Sequence, residues 1–291
     1  MKPTTRRRLV ALGSLAVCGA AVAVVLAGGS AGTTTSTERA GNAANERSGG
    51  GSGGESHRRW VSYRGPVPIL EYHAIQPPVS SSSYPELFVP EADFEAQMSW
   101  LDKHGYQAVT LSEVQRAWGG AGELPPKPVV VSFDDGYLSQ FVGAFPIMQR
   151  LHWPGVLDLK AAGSDLPDAD AQKMIDAGWE LASHTINHLD VTTLDSATLH
   201  HELADSKRTL ESRFGVKIQN FCYPAGHYDQ AAIDELRRDG YRGATTELPG
   251  LAERTDPFAL ARLEIELSDG LGGFLNKLRG ATPQGPAPPS A

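Results

Sequence analysis

The sequence is poor in cysteine and in positive charge. Two cysteines in 291 residues are too few for a disulfide scaffold. The 26 Lys and Arg residues face 34 Asp and Glu residues, and this acidic balance argues against a general nucleic-acid binder. No glycine-rich phosphate-binding motif, GxGxxG or GxxxxGK[ST], follows an apolar run, so nucleotide binding has no support. With 41% hydrophobic residues, the composition is that of a globular domain rather than of collagen or a coiled coil.

The first 31 residues have the layout of an export segment. Lys2 and the arginines at 6–8 precede an apolar run from Leu9 to Ala27, and no acid lies among them. This layout is typical of a secretory signal, and the run also approaches the roughly 20 residues that a membrane span needs. We therefore expect residues 1–31 to be a signal peptide or a membrane anchor. The protein would be exported, and either secreted or held at the outer face of the cytoplasmic membrane through residues 9–27.

One folded domain is expected between two loose segments. Residues 32–60 consist largely of Gly, Ser, Thr and Asn, which cannot bury enough apolar surface to fold, and this composition predicts a flexible linker. Residues 281–291 are rich in Pro and small residues, so we predict a disordered tail. The stretch between them, residues 61–280, has the length of one domain, and we expect it to be monomeric.

Short apolar runs alternate with helical patterns between residues 60 and 280. In the helical segments apolar residues recur at i, i+4 and i+7, as Phe94, Met98 and Leu101 do. Strand–helix alternation with wholly apolar strands predicts an α/β fold, with a parallel sheet covered by helices. About seven strands in this length favour a small or incomplete (β/α) barrel, with a doubly wound open sheet as the alternative. The predicted strands are 68–72, 128–133, 155–159, 179–183, 218–223, 241–245 and 260–265, and the predicted helices are 91–104, 138–151, 168–177, 195–214 and 229–239.

Polar clusters follow three of the predicted strands: SFDDG at 132–136, HTINH at 184–188 and FCYPAG at 221–226. The two histidines of HTINH lie four residues apart, near enough to share a metal on one helical turn. In a parallel barrel the carboxyl ends of the strands meet at one face, so we expect the three clusters to come together. One Asp and two His form a set that binds a divalent metal, and a second carboxylate beside it would supply the general base for hydrolysis.

These motifs resemble those of the polysaccharide deacetylases of carbohydrate esterase family 4, the NodB-homology group. SFDDG matches the first family motif, HTINH matches the second, H[ST]xxH, and FCYPAG matches the third. The resemblance covers roughly residues 67–267. It implies a distorted (β/α) barrel of about seven parallel strands, and an enzyme that removes N-acetyl groups from amino sugars or O-acetyl groups from xylan.

The resemblance also implies roles for individual residues. Asp134 would be the catalytic base, and Asp135, His184 and His188 would hold one divalent metal, usually Zn²⁺. The oxyanion would be stabilised by a backbone N–H of the loop formed by Tyr223, Pro224 and Ala225.

Two features of the family pattern are missing from this chain. Many members carry an arginine shortly before the proline of the third motif, where it pairs with the base. Here that region reads NFCY, and Arg262 on a late strand is the nearest candidate substitute. The late LxxH motif, whose His acts as the acid, is also absent, because no His follows His227. FxYPxG without the arginine resembles the branch that acts on poly-β-1,6-N-acetylglucosamine, in which an early strand ending in Tyr-His takes over. Residues 69–73, ILEYH, have that ending, so we predict His73 as the general acid.

The leading hypothesis is therefore a metal-dependent N-deacetylase acting on an extracellular or cell-wall N-acetylglucosamine polysaccharide. An O-acetyl esterase on xylan would use the same site, and the sequence does not separate the two. A third hypothesis, from another class, is a catalytically inactive module that binds glycan. The presence of both aspartates with the two histidines favours an enzyme, and the partner in each case is an acetylated glycan.

Overall fold

The computed structural model describes residues 60–283, and parallel strands form its centre. The predicted export segment, all of the linker except residue 60, and the last eight residues of the predicted tail lie outside the described residues. The strands in chain order are β1 (Ile69–Tyr72), β2 (Ala74–Ile75), β3 (Phe88–Val89), β4 (Gln107–Ala108), β5 (Pro128–Asp134), β6 (Val156–Leu159), β7 (Glu180–Ser183), β8 (Asn220–Cys222), β9 (Gly243–Pro249) and β10 (Leu260–Glu264).

Seven of these strands close into a barrel. Their order is β1-β10-β9-β8-β7-β6-β5, every neighbouring pair is parallel, and β1 also pairs with β5. The last pairing closes the ring, with Leu70 opposite Val131, and it excludes the open-sheet alternative. The two residues of β4 extend the sheet beside the start of β5, and β2 pairs with β3 separately. The predicted α/β fold, a distorted (β/α) barrel of about seven strands, is confirmed.

Helices cover the outside of the barrel and one of its ends. Two predicted helices contain a π-helical turn, at Gln140–Ala144 and at His201–Asp205. Two helices were not predicted, since the segments 111–118 and 270–280 are short or rich in glycine. The α-helices are α1 (Glu91–Lys103), α2 (Leu111–Trp118), α3 (Phe145–Arg150), α4 (Asp168–Asp176), α5 (Ser196–His200), α6 (Ser206–Phe214), α7 (Gln230–Arg238) and α8 (Gly270–Gly280). No helix between residues 60 and 283 combines the length and the apolar character that a membrane crossing requires.

Side chains alternate along each strand between two separate apolar clusters. The larger cluster lies between the strands and the outer helices and includes Leu70, Tyr72 and Phe133. The smaller cluster lies in the barrel interior at the amino ends of the strands, where Val114 and Trp118 of α2 pack against it. We call its strand residues the apolar layer: Ile69, Val130, Val156, Ala182 and Leu260.

The next inward-facing positions along the strands are polar. We call four of them the charged layer: Glu71, Asp134, Asp158 and Arg262, all between 0% and 2% exposed. In the sheet register, Asp134 lies directly opposite Asp158. The pairing of β9 with β10 is irregular beside Arg262. Leu260 and Arg262 are two residues apart on β10, but their partners on β9, Thr245 and Pro249, are four residues apart. The freed carbonyl of Thr246 accepts a hydrogen bond from Arg262 Nε at 2.9 Å, so the irregularity directs the arginine inward.

Candidate active site

The three polar motifs meet at the carboxyl ends of the strands, as expected for a parallel barrel. Asp134 is the last residue of β5, and Asp135 follows it directly. His184 follows β7, and Cys222 is the last residue of β8. Atoms of Asp135, His184 and His188 that can bind a metal lie within 4.8 Å of one another.

The backbone is unusual at these motifs. Four of the five non-glycine residues with positive φ between 60 and 283 belong to them: Asp135 (72°), Thr185 (64°), His188 (59°) and Ala225 (52°). Such conformations are costly, and they persist where the surrounding structure enforces them. Gly136 also has positive φ, and a Cβ there would lie 2.3 Å from Leu159 Cδ1. The glycine of SFDDG therefore permits the turn that follows the two aspartates.

Asp135 Oδ1 is the point on which the two imidazoles converge. It lies 3.8 Å from His184 Nε2 and 3.6 Å from His188 Nε2. His184 Nδ1 lies 2.8 Å from the carbonyl oxygen of Cys222. Because a carbonyl can only accept, Nδ1 carries a proton, and Nε2 is the ring nitrogen that faces Asp135.

The charge states of these groups suit a metal ligand set. Burial, followed by the neighbouring His184, lowers the pKa of His188 to about 4, so its imidazole is neutral at pH 7. Burial alone would raise the pKa of Asp135, but His184, Lys160 and His188 together hold it below its usual value. Lys160 Nζ lies 3.2 Å from Asp135 Oδ1.

The residues present fit a divalent metal. Asp135 Oδ1 is buried and accepts no hydrogen bond from any residue in the described part of the chain. This carboxylate oxygen and the two imidazole Nε2 atoms that face it form the two-nitrogen, one-oxygen donor set that Zn²⁺ accepts, with room left for water and substrate. Asp135, His184 and His188 would hold the ion.

Asp134 is paired with Arg262. Arg262 Nη1 donates to Asp134 Oδ1 at 2.7 Å, and Nη2 donates to Oδ2 at 2.9 Å. The Cys222 thiol lies 3.3 Å from Oδ2. Burial would raise the pKa of Asp134, but the charge and hydrogen bonds of Arg262, helped by His73 and His184, hold it well below its usual value. Arg262 thus pairs with Asp134, as the sequence predicted for the nearest substitute of the missing arginine, and the Asp134 carboxylate is ionised at neutral pH.

His73 lies beside this pair. Its side chain is buried, and an imidazole nitrogen lies within 4.8 Å of carboxylate oxygens of Glu71 and Asp134. Burial lowers the pKa of His73, although the charge of Asp134 opposes the shift. The side chain of Gln140 fixes the two motifs relative to each other, since Nε2 donates to the carbonyls of Asp134 at 2.6 Å and His73 at 3.1 Å.

The oxyanion prediction needs a correction. The N–H of Tyr223 donates to the carbonyl of Thr245 within the sheet, at 3.1 Å, and Pro224 has no N–H. Neither can donate to an oxyanion, so Ala225 is the remaining candidate of the three. The ring of Tyr223 packs on Phe221 and Tyr228 beneath the helices, not in the site.

Sequence reasoning missed several residues that shape the site. Glu202 is buried in the π-helical turn, and its carboxylate accepts the N–H groups of Ile186 and Asn187, both at 2.9 Å. It therefore holds the HTINH loop in its conformation. Gln140, Glu71 and Asp158 were also missed as site residues. The available signal was a polar residue at a position that the helical or strand pattern predicts to be buried.

Comparisons with known proteins agree with this geometry. A family model described as polysaccharide deacetylase matches residues 121–244. YxkH of Bacillus subtilis (strain 168), which carries a polysaccharide deacetylase name, is 30% identical over 220 residues, covering 74% of this chain and 76% of that protein. The poly-beta-1,6-N-acetyl-D-glucosamine N-deacetylase of Escherichia coli (strain K12) is 26% identical over 257 residues, which cover 72% of this chain and 38% of that protein.

The fold comparison gives the same result. The crystal structure of BC0361, a polysaccharide deacetylase from Bacillus cereus, matches with a TM-score of 0.64 at 28% identity, covering 74% of this chain and 69% of that chain. The similarity to YxkH extends over three quarters of each protein. This chain belongs to the polysaccharide deacetylase family and is a hydrolase of amide bonds.

Proposed function

We propose that this protein is a metal-dependent enzyme that removes N-acetyl groups from an extracellular N-acetylglucosamine polysaccharide. One observation carries the proposal: an ionised carboxylate, Asp134, lies next to Asp135, whose buried Oδ1 accepts no hydrogen bond from the described residues and lies 3.8 Å and 3.6 Å from Nε2 of His184 and His188. Amide hydrolysis needs a base for the attacking water and an electrophile for the carbonyl, and this arrangement provides a place for each.

The residues divide the work of the first step. A divalent ion held by Asp135, His184 and His188 would polarise the acetyl carbonyl and lower the pKa of water. Asp134 accepts the proton of the attacking water, and its bidentate contact with Arg262 keeps the carboxylate ionised and orientated. We assign the N–H of Ala225 to the developing oxyanion.

The second step needs a proton for the leaving amine. His73 lies close enough to Asp134 to receive the proton that the base has taken. Because burial lowers the pKa of His73, an imidazolium formed during turnover gives its proton up readily. His73→Gln should reduce kcat by about 100-fold without loss of metal. A variant with near-normal kcat would contradict the assignment of the acid.

The substrate and the location are part of the proposal. Enzymes of Escherichia coli and Staphylococcus named as poly-beta-1,6-N-acetyl-D-glucosamine N-deacetylases resemble this chain at 22–26% identity, which supports a β-1,6-linked polymer. The basic and apolar residues 1–31 support export. The enzyme would be secreted or anchored at the outer face of the cytoplasmic membrane through residues 9–27.

One assay tests the chemistry and the substrate together. Purified protein is incubated with acetylated β-1,6-linked glucosamine oligomers, chito-oligomers and acetyl-xylan, with and without a chelator, and released acetate is measured. We expect chelator-sensitive release that is fastest from the β-1,6 oligomers. Release from acetyl-xylan alone would favour the O-acetyl esterase, and no release from any of the three would favour the inactive glycan-binding module.

A further inference from the structure

The charged layer holds three carboxyl groups around one guanidinium. Arg262 gives Nη1 and Nη2 to Asp134 and the N–H of Nε to the carbonyl of Thr246. Glu71 Oε2 lies 3.1 Å from Nε, and Asp158 Oδ2 lies 3.9 Å from Nη1. Asp134 therefore takes the bidentate contact, and the other two carboxyl groups only adjoin the cation.

Glu71 and Asp158 lack the hydrogen bonds that buried carboxylates need. In the described part of the chain, three carboxyl oxygens of these residues have no hydrogen-bond partner: both oxygens of Glu71 and Oδ2 of Asp158. Both side chains are almost fully buried. An ionised carboxylate in such a place costs several kcal/mol, and the single positive charge of Arg262 is already matched by Asp134.

We propose that Glu71 and Asp158 are uncharged carboxylic acids that position the pair formed by Asp134 and Arg262. This inference rests on the proposed function, because Asp134 is the base of that reaction. Asp158 lies directly opposite Asp134 in the strand register, so its O–H can donate to the base from below. Glu71 packs on the other side of the guanidinium and confines Arg262 to the bidentate arrangement.

The surroundings of the two acids are consistent with this state. Burial raises the pKa of Glu71 well above its usual value, and Asp134, Glu247 and Glu264 add to the shift against the effect of Arg262. Burial likewise raises the pKa of Asp158, with a contribution from Asp134. Both side chains lie inside the barrel. Glu71 is on β1 and Asp158 is on β6, and these two strands are the neighbours of β5, so the two acids lie on either side of the base.

Amide and apolar substitutions of Glu71 and Asp158 distinguish the effect of a negative charge at these positions from the effect of a side chain that positions the base. An amide has nearly the shape of a neutral acid and can still donate a hydrogen bond, whereas Met or Leu cannot. Glu71→Gln and Asp158→Asn should keep kcat within about threefold of the wild type. Glu71→Met and Asp158→Leu should lower kcat by about 10-fold to 100-fold with little change in KM, because the base is no longer held in its reactive geometry. Val130→Ala, in the apolar layer, is the matched control and should keep its kcat.

A second readout does not depend on activity. The infrared spectrum of the wild type at pH 7 should contain the C=O stretching band of protonated carboxylic acids, and each amide variant should lose part of that band. Metal affinity, measured by calorimetric titration with Zn²⁺, should be unchanged in all variants. Thermal unfolding shows whether each one is folded, and if the apolar variants do not fold, the amide variants and the infrared band decide.

Three results would overturn the inference. They are amide variants that lose as much kcat as the apolar ones, folded apolar variants that keep wild-type kcat, and a spectrum whose protonated-acid band is unaffected by either amide. A wild-type protein that releases no acetate is a different result. It would contradict the proposed function, while the infrared band would still decide the charge state of Glu71 and Asp158.

Discussion

The barrel interior has two halves that differ in what they contribute. In the apolar layer, aliphatic side chains from five strands pack together and α2 closes the end. In the charged layer, nearer the carboxyl ends of four of these strands, three carboxyl groups and an arginine are buried instead. Burial of apolar surface stabilises a fold, whereas buried ionisable groups rarely do so. The comparison indicates that the first half stabilises the barrel and that the second half lowers its stability while it prepares the base.

Loss of the metal ligands should have the largest effect on activity. His184→Ala removes a ligand at the most buried position of the Asp-His-His set, so we expect loss of bound metal and of measurable acetate release. Metal content is measured by elemental analysis. His104→Ala is the matched control, because His104 is exposed and belongs to none of the potential metal-binding groups found between residues 60 and 283. Equal metal loss in both variants would contradict the assignment of the site.

Asp134→Asn should reduce kcat by about 100-fold to 10,000-fold and leave metal binding intact. Asparagine cannot accept a proton, and it leaves Arg262 without its bidentate partner inside the barrel. Steady-state acetate release and a Zn²⁺ titration measure the two effects. The exposed Asp234→Asn on α7 is the control. A variant that lost metal and activity together would assign Asp134 to the ligand set instead.

A substitution that disturbs the apolar layer should lower the free energy of unfolding and leave kcat nearly unchanged. Leu111 of α2 is 2% exposed and packs against this layer, so Leu111→Ala should lower the free energy of unfolding by about 2–5 kcal/mol. The kcat of the folded variant should stay within about twofold of the wild type. Denaturant titration gives the stability, and Leu138→Ala, at a leucine that is 39% exposed, should change it by about 0.5 kcal/mol or less. A large fall in kcat in Leu111→Ala would show that the two halves are not independent.

The seven strands and the meeting of three motifs were predictable from the sequence, because apolar runs and their carboxyl ends mark them directly. The strands showed their positions as short, continuous apolar runs. The helix at 270–280 did not, since four of its residues are glycine and tertiary contacts decide its conformation.

The partners within the charged layer were harder to predict. The contact between Arg262 and Asp134 joins residues 128 positions apart, and only closure of the barrel brings them together. Glu71 was missed because nothing in a single sequence says which face of β1 points inward. Gln140 and Glu202 act through side chains that reach backbone groups of other motifs, and such contacts leave no local pattern.

The charged layer should also be visible in the pH dependence of stability. An acid whose pKa is raised in the folded state keeps its proton at a pH where the unfolded chain has lost it. Unfolding then releases a proton, so the free energy of unfolding falls as pH rises above about 4, by about 1.4 kcal/mol per pH unit for each such group. Asp158 is such a group. The pKa of Asp134 is instead lowered in the folded state, so Asp134 makes the free energy of unfolding depend on pH only at pH values below the usual pKa of an aspartate.

Asp158→Asn removes this slope, so its stability relative to the wild type should increase as pH rises from about 5 to 8. Denaturant titrations across that range measure the difference, and subtraction of the wild-type curve cancels the contributions of the histidines and of the other acids. Asp234→Asn, on the surface, should run parallel to the wild type. A difference that does not change with pH would mean that Asp158 is ionised in the folded protein. The charged layer would then carry a net negative charge, and the contrast between the two halves of the barrel would be larger than the contacts of Arg262 imply.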